Sequence, residues 1–167
     1  MAKTDENLGA AFAGESQANR KYLAFAKAAD QEGFSQVARL FRAAAEAETV
    51  HAHNHLRVMG GIKSTADNLR VAIEGETHEF TRMYPGFIAE AEKDGNKKAK
   101  RSFAMANAVE EIHARLYRRA QDAVAKGDDL AAVPIWVCQV CGNTVEGEPP
   151  GTCPICNSAR EMFKRVD

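Results

Sequence analysis

The sequence predicts an all-α protein, a four-helix bundle followed by a small four-cysteine metal module. Three observations carry this prediction. Alanine, leucine, glutamate, lysine and arginine dominate to about Lys126, with few helix breakers. A Glu-x-x-His motif occurs twice, each time well downstream of a Gly-Glu pair. All four cysteines, Cys138, Cys141, Cys153 and Cys156, lie in the last 30 residues as two CxxC pairs. A helical domain over residues 1–130 and a metal module over 131–167 are expected.

The helices are read in order. The first runs from about Thr4 to Glu32 and stops at Gly33. The second runs from Ser35, taken as its N-cap, to Met59, before Gly60 and Gly61. Ser64 caps the third, with Asp67 three residues on in capping-box fashion. That helix ends near Asp94, and Pro85 and Gly86 interrupt it, predicting a kink or an open backbone bond. The fourth runs from about Asn96 to Lys126 and stops at Gly127. Long helices with short connections suit antiparallel neighbours in a bundle. "KGDDLAAVPIW" reads as a linker, and the piece beyond it is too small to be held by apolar burial alone.

The 167 residues carry 22 basic and 23 acidic side chains, a net charge of −1. That balance argues against binding nucleic acid or membrane surfaces through bulk charge. "MAKTDENLGAAFAGES" lacks the apolar core of a signal peptide, and no apolar run approaches transmembrane length. A cytoplasmic location is expected.

The helical part repeats itself. "ETVHA" supplies Glu48 and His51, and "EEIHA" supplies Glu110 and His113. Residues i and i+3 share a helix face, so each pair can hold one metal jointly. Upstream, "GES" contains Glu15 and "GET" contains Glu76, 33 and 34 residues before Glu48 and Glu110. One Glu from each of two helices and a Glu-x-x-His from each of two others is the ligand set of di-iron and di-manganese carboxylate bundles. Carboxylates bridge two cations and neutralise them, while imidazoles leave positions open for oxygen chemistry. Gly14 and Gly75 are expected to remove bulk at a close approach.

A single Glu-x-x-His is more often an exposed pair than a ligand set; the duplication lifts this one above chance. Glu46, Glu111, Glu74 and His53 read as solvated, and His78, without a repeat counterpart, does not read as a ligand. His55 lies i+4 from His51, but its repeat counterpart is Tyr117, which favours a space-filling role. Met83 reads as core. Glu79 is i+3 from Glu76 and points at the same site, whereas its counterpart beside Glu15 is Ala18.

The cysteines follow C-x2-C-x11-C-x2-C. Four thiolates fit zinc or iron equally by geometry. Gly142 suits the first knuckle's turn, and Asn157 tolerates a left-handed conformation after the second. A di-iron centre reacting with oxygen or peroxide needs electrons returned to it, which a thiolate-bound iron supplies and zinc does not.

"AFAGESQANRKY", "AEAETVHA", "GETHEFTRMYP", "AVEEIHARLY" and "WVCQVCGNTVEGEPPGTCPIC" resemble the rubrerythrin family over essentially the whole chain. The resemblance implies a ferritin-like di-iron bundle followed by a rubredoxin-like domain. It implies two irons held by Glu15, Glu48, His51, Glu76, Glu79, Glu110 and His113, with Glu48 and Glu110 bridging, and one iron held by the four cysteines. It implies exchange of Glu79 and His51 at one iron as the redox state changes, and tyrosines lining the site, here Tyr22 and Tyr84. Helical arithmetic puts Tyr84, i+5 from Glu79, off the ligand face unless Pro85 corrects it. The implied activity is reduction of hydrogen peroxide to water, fed from NAD(P)H through a separate reductase or rubredoxin. A homodimer is implied, with one subunit's rubredoxin-like domain near the other's di-iron site. Asn143 and Asn157 depart from the family pattern where they could shift the reduction potential. The alternatives are a ferroxidase that handles iron as ferritin does, and a zinc-ribbon interaction module on a helical scaffold.

Overall fold

The computed structural model describes residues 2–166. It contains helices α1 (Lys3–Gln31), α2 (Ser35–Val58), α3 (Thr65–His78), α4 (Tyr84–Lys93) and α5 (Lys97–Ala125), with a π-helical turn at Glu79–Met83. Strands β1 (Ile135–Cys138), β2 (Thr144–Glu146) and β3 (Phe163–Val166) follow. The predicted all-α class with a C-terminal four-cysteine module is what the chain forms. No helix among the described residues is long and apolar enough to cross a membrane.

The chain divides into two units, Met1–Lys63 and Ser64–Asp167. The first is the α1–α2 hairpin. Small residues let its helices approach: Ala26, Ala29 and Ala38 are buried together, with Phe41 against them. Asn19 is also buried, and its Nδ2 donates to the Ala45 carbonyl at 2.7 Å and to Thr49 Oγ1 at 2.8 Å. The second helix departs from expectation at its start. Phe34, not Ser35, occupies the N-cap, without a side-chain hydrogen bond, and Ser35 is already helical.

In the second unit, Ser64 caps α3 as predicted. Its Oγ accepts from Asp67 N at 3.1 Å and donates to Asp67 Oδ2 at 2.7 Å. Asn96 likewise caps α5, accepting from Ala99 N at 3.0 Å. The interruption at Pro85 is a π turn, in which Tyr84 N donates to the Glu79 carbonyl five residues back. Pro85, which has no N–H to give, falls in the first turn of α4. The sheet order is β2-β1-β3, all antiparallel, with Trp136 opposite Val145 and Arg165. Cys138, Cys153 and Phe163 form its buried centre.

Candidate metal centres

The two CxxC knuckles bring four sulfurs together. All four cysteines are free, and one sulfur from each lies within 4.8 Å of the others. Cys138 Sγ is 3.7 Å from Cys156 Sγ, and Cys141 Sγ is 3.6 Å from Cys153 Sγ. A tetrahedron with metal–sulfur bonds of about 2.3 Å has edges of about 3.8 Å, so the donor set fits a tetrahedral metal. The knuckles close on left-handed residues as expected, Gly142 at φ +85° and Asn157 at φ +62°. Gly142 N donates to the Cys138 carbonyl at 2.8 Å, and Asn157 N to that of Cys153 at 2.9 Å.

Burial pushes the Cys138 thiol up, but Ser158 Oγ and the backbone N–H groups of Val140 and Cys141 outweigh it and hold it down at about 6. Burial likewise opposes ionisation of Cys156, yet the Ser158 hydroxyl and N–H lower it. Cys141 is raised, by burial and despite the Asn143 N–H, because neighbouring cysteines crowd it. Four sulfurs this close cannot all ionise without a cation among them. Sequence reasoning missed Ser158, which sits 3.3 Å from Cys138 Sγ and 3.1 Å from Cys156 Sγ. Asn143, flagged as a departure, is 1% exposed, and its Nδ2 lies 3.7 Å from Cys153 Sγ.

Each helical unit carries a carboxylate–histidine triad. Glu15, Glu48 and His51 converge in the first, and Glu76, Glu110 and His113 in the second, with ligand atoms mutually within 4.8 Å. His51 Nδ1 lies 2.8 Å from Glu48 Oε2, and His113 Nδ1 lies 2.7 Å from Glu110 Oε2. The shared geometry follows from i, i+3 placement on α2 and α5. Two carboxylates and an imidazole per triad suit iron.

Glu79 stands beside the second triad rather than within its closest group. Burial and Glu110 raise its carboxyl, while His78 and His113 lower it. Glu76 is raised to about 7 by burial, by a hydrogen bond with Glu110, and by repulsion from Glu110 and Glu79. Crowded acids of this kind mark a place where a cation belongs.

The tyrosines extend the repeat. Tyr22 meets Phe25 and Phe41 at ring distances of 6.3 and 6.2 Å, and Tyr84 meets Phe87 and Phe103 at 6.2 and 6.3 Å. Tyr84 also feels the acids. Burial and then Glu79, Glu110 and Glu76 raise its phenol, so it lies beside these acids. Tyr22 is seven residues beyond Glu15 and Tyr84 eight beyond Glu76. The π turn absorbs the extra residue, which also explains the 33- and 34-residue offsets.

The other assignments resolve simply. Glu74 is exposed and pairs with Arg70 at 3.2 Å. Glu46, Glu111, His53 and His78 are exposed. The expected close approach at Gly14 and Gly75 is not found within either unit: a Cβ at either position meets nothing within 4 Å. A further link was not legible beforehand. His113 Nε2 lies 2.9 Å from Thr144 Oγ1, which belongs to β2.

Comparison with known proteins agrees with this geometry. A family model described as Rubrerythrin matches residues 6–121, and one described as Rubrerythrin, rubredoxin-like domain matches residues 136–164. The chain is 34% identical to Rubrerythrin-2 of Clostridium acetobutylicum over 98% of this chain and 96% of that protein. It is 36% identical to nigerythrin of Nitratidesulfovibrio vulgaris over 98% of this chain and 86% of that protein. The solved structure of fully reduced, all-ferrous nigerythrin matches with a TM-score of 0.58 at 34% identity, covering 99% of this chain and 88% of that one.

Proposed function

The chain belongs to the rubrerythrin family, with a di-iron site and a rubredoxin-like four-cysteine site, and from that premise we propose that it is a peroxidase reducing hydrogen peroxide to water. The observation that carries this reading is the pairing, on one chain, of two carboxylate–histidine triads with a four-thiolate cluster. The triads would hold an iron pair through Glu15, Glu48, His51, Glu76, Glu110 and His113, with Glu79 as a seventh ligand. The four cysteines would hold one iron. When bound and ferrous, the pair supplies the two electrons that, with two protons, convert one peroxide into two waters.

The chain's own groups do the rest. Carboxylates on both triads offset the cations' charge, and His51 and His113 present Nδ1 beside Glu48 and Glu110. Tyr84 stays a neutral phenol because burial and the neighbouring acids disfavour its anion. Its Oη–H is therefore a donor at the edge of the acid cluster. Ser158 and Asn143 direct polar hydrogens toward cysteine sulfurs, which favours the more negative, reduced state of a thiolate-bound iron. Storage of ferric iron has no use for such an electron relay, and this counts against the ferroxidase alternative.

We read the protein as a cytoplasmic homodimer that takes electrons from NAD(P)H through a separate reductase or rubredoxin. Free thiols suit a reducing compartment. Leu40 at 69%, Val50 at 57% and Val58 at 72% exposure are apolar area for which self-association gives a use. The test is a coupled assay of the iron-loaded protein with NADH, a rubredoxin reductase and peroxide. NADH oxidation that requires both protein and peroxide supports the reading; oxidation no faster than with reductase alone overturns it.

A further inference from the structure

We propose that Thr144, a residue of the cysteine module, is the positioning residue that fixes the ring and tautomer of His113 in the second carboxylate–histidine triad. The proposal rests on the di-iron reading above and adds to it a residue outside the ligand set.

Thr144 Oγ1 makes two contacts. It lies 3.1 Å from the Gly142 carbonyl and 2.9 Å from His113 Nε2. A hydroxyl has one proton, and a carbonyl can only accept. The Thr144 proton therefore goes to Gly142, and its lone pair faces the ring. His113 must then carry its proton on Nε2 and donate it to Thr144. That leaves the Nδ1 lone pair free, on the side where Glu110 Oε2 lies 2.7 Å away. A ligating imidazole needs this division: one nitrogen for the metal, the other tied down.

Among the described residues Thr144 is the one hydrogen-bond partner of His113 Nε2. Beside the ring is a cavity of about 290 Å³ whose walls include the apolar side chains of Leu69, Leu116, Leu130 and Ile135, together with Tyr117, which makes no hydrogen bond to the ring. Glu146 also reaches that cavity but is engaged by Arg119. Gly142 is itself held, its N–H donating to the Cys138 carbonyl at 2.8 Å. The orientation of His113 is thus anchored to the first cysteine knuckle. The repeat counterpart has no equivalent: among the described residues His51 Nε2 has no hydrogen-bond partner, and its side chain is 54% exposed. One histidine is held at both ring nitrogens and the other at Nδ1 alone.

The test uses the full-length chain with histidine nitrogens labelled, loaded with zinc as a diamagnetic ion, and compares Thr144→Val with Thr144→Ser. In the wild type and in Thr144→Ser, long-range nitrogen–proton spectra are expected to show His113 as a single Nε2–H tautomer with a slowly exchanging proton. In Thr144→Val, that proton is expected to exchange at least about tenfold faster. From the iron-loaded protein, a chelator should then remove helical-site iron about 10- to 100-fold faster, the usual cost of losing a partner behind a metal ligand. The visible spectrum of the cysteine-bound iron reports that the module is folded; if Thr144→Val is misfolded, Thr144→Ala replaces it with the same expectations. Exchange and iron removal within twofold of the wild type in a folded variant overturn the proposal. A wild-type chain in which no ion perturbs His113 at all overturns the di-iron reading instead.

Discussion

Tyr84 donates its backbone N–H to the carbonyl of Glu79, five residues earlier rather than four. This one wide turn lets Tyr84 occupy, against Phe87 and Phe103, the place that Tyr22 holds against Phe25 and Phe41. It does so although an extra residue separates Tyr84 from its glutamate. Deleting Arg82, an exposed residue of the π turn, should restore regular helix with the seven-residue spacing of Glu15 to Tyr22, so that Tyr84 keeps its place relative to Glu76 and Glu79. We expect helical content by circular dichroism to persist and peroxide turnover to stay within about threefold; a fall of about 100-fold, the scale of a misplaced group, would contradict this account of the turn.

Glu79 is the acid that the first hairpin lacks. Glu79→Ala should keep the fold and iron at all sites, because the Glu76, Glu110 and His113 triad survives it. Peroxide turnover should slow by about tenfold or more, ~1.4 kcal/mol in the barrier. Metal analysis and steady-state rates on the same sample check both halves. Unchanged turnover would make Glu79 a bystander.

Cys153 is wholly buried at the centre of the small sheet. A module of this size depends on its metal, so Cys153→Ala should lose the cysteine-bound iron and unfold the segment beyond Ile135. Steady-state turnover should collapse. Oxidation of a pre-reduced iron pair by peroxide should persist while iron stays bound, since the triads lie on helices, although losing Thr144 with the module loosens the hold on that iron. Comparing the two assays separates electron delivery from the reaction itself.

Ser158 places its hydroxyl 3.3 and 3.1 Å from two sulfurs. Removing it with Ser158→Ala should lower the reduction potential of the cysteine-bound iron, because the reduced site carries more negative charge on sulfur. A loss of about 1 kcal/mol corresponds to roughly 40 mV for one electron. Spectroelectrochemistry of the visible absorption measures it, and a potential that rises or stays fixed contradicts the assignment.

Asn19 ties α1 to α2 through Ala45 and Thr49. Asn19→Ala should destabilise the protein by about 1–3 kcal/mol, the cost of a lost buried hydrogen-bonded group. Urea unfolding checks this without reference to activity.

Much of this was legible in the sequence. Periodicity and breakers located the helices to within a few residues, because long alanine-rich stretches leave the backbone little choice. The duplicated Glu-x-x-His identified both triads, because i, i+3 spacing fixes a shared helix face. The 33- and 34-residue offsets already contained the π turn, but an i to i+5 bond has no propensity signal of its own; only Pro85 hinted at it. Phe34 displaced Ser35 as the cap of α2 because the hairpin turn after Gly33 sets where helical dihedrals begin. Thr144 and Ser158 were invisible for a different reason. Thr144 acts on a histidine 31 residues away, through packing that no local pattern records, and Ser158 matters only once the two knuckles have met.

The central claim is that the helical ligand set and the cysteine cluster form one peroxide-reducing system. The most direct measurement is to reduce the iron-loaded protein anaerobically, bleaching the cysteine-bound iron, and then add one equivalent of peroxide while following the visible spectrum. The account predicts that peroxide is consumed and that the red absorption of the ferric thiolate site returns after the iron pair is oxidised. A protein that leaves peroxide intact, or whose cysteine site stays colourless while peroxide disappears, would contradict it.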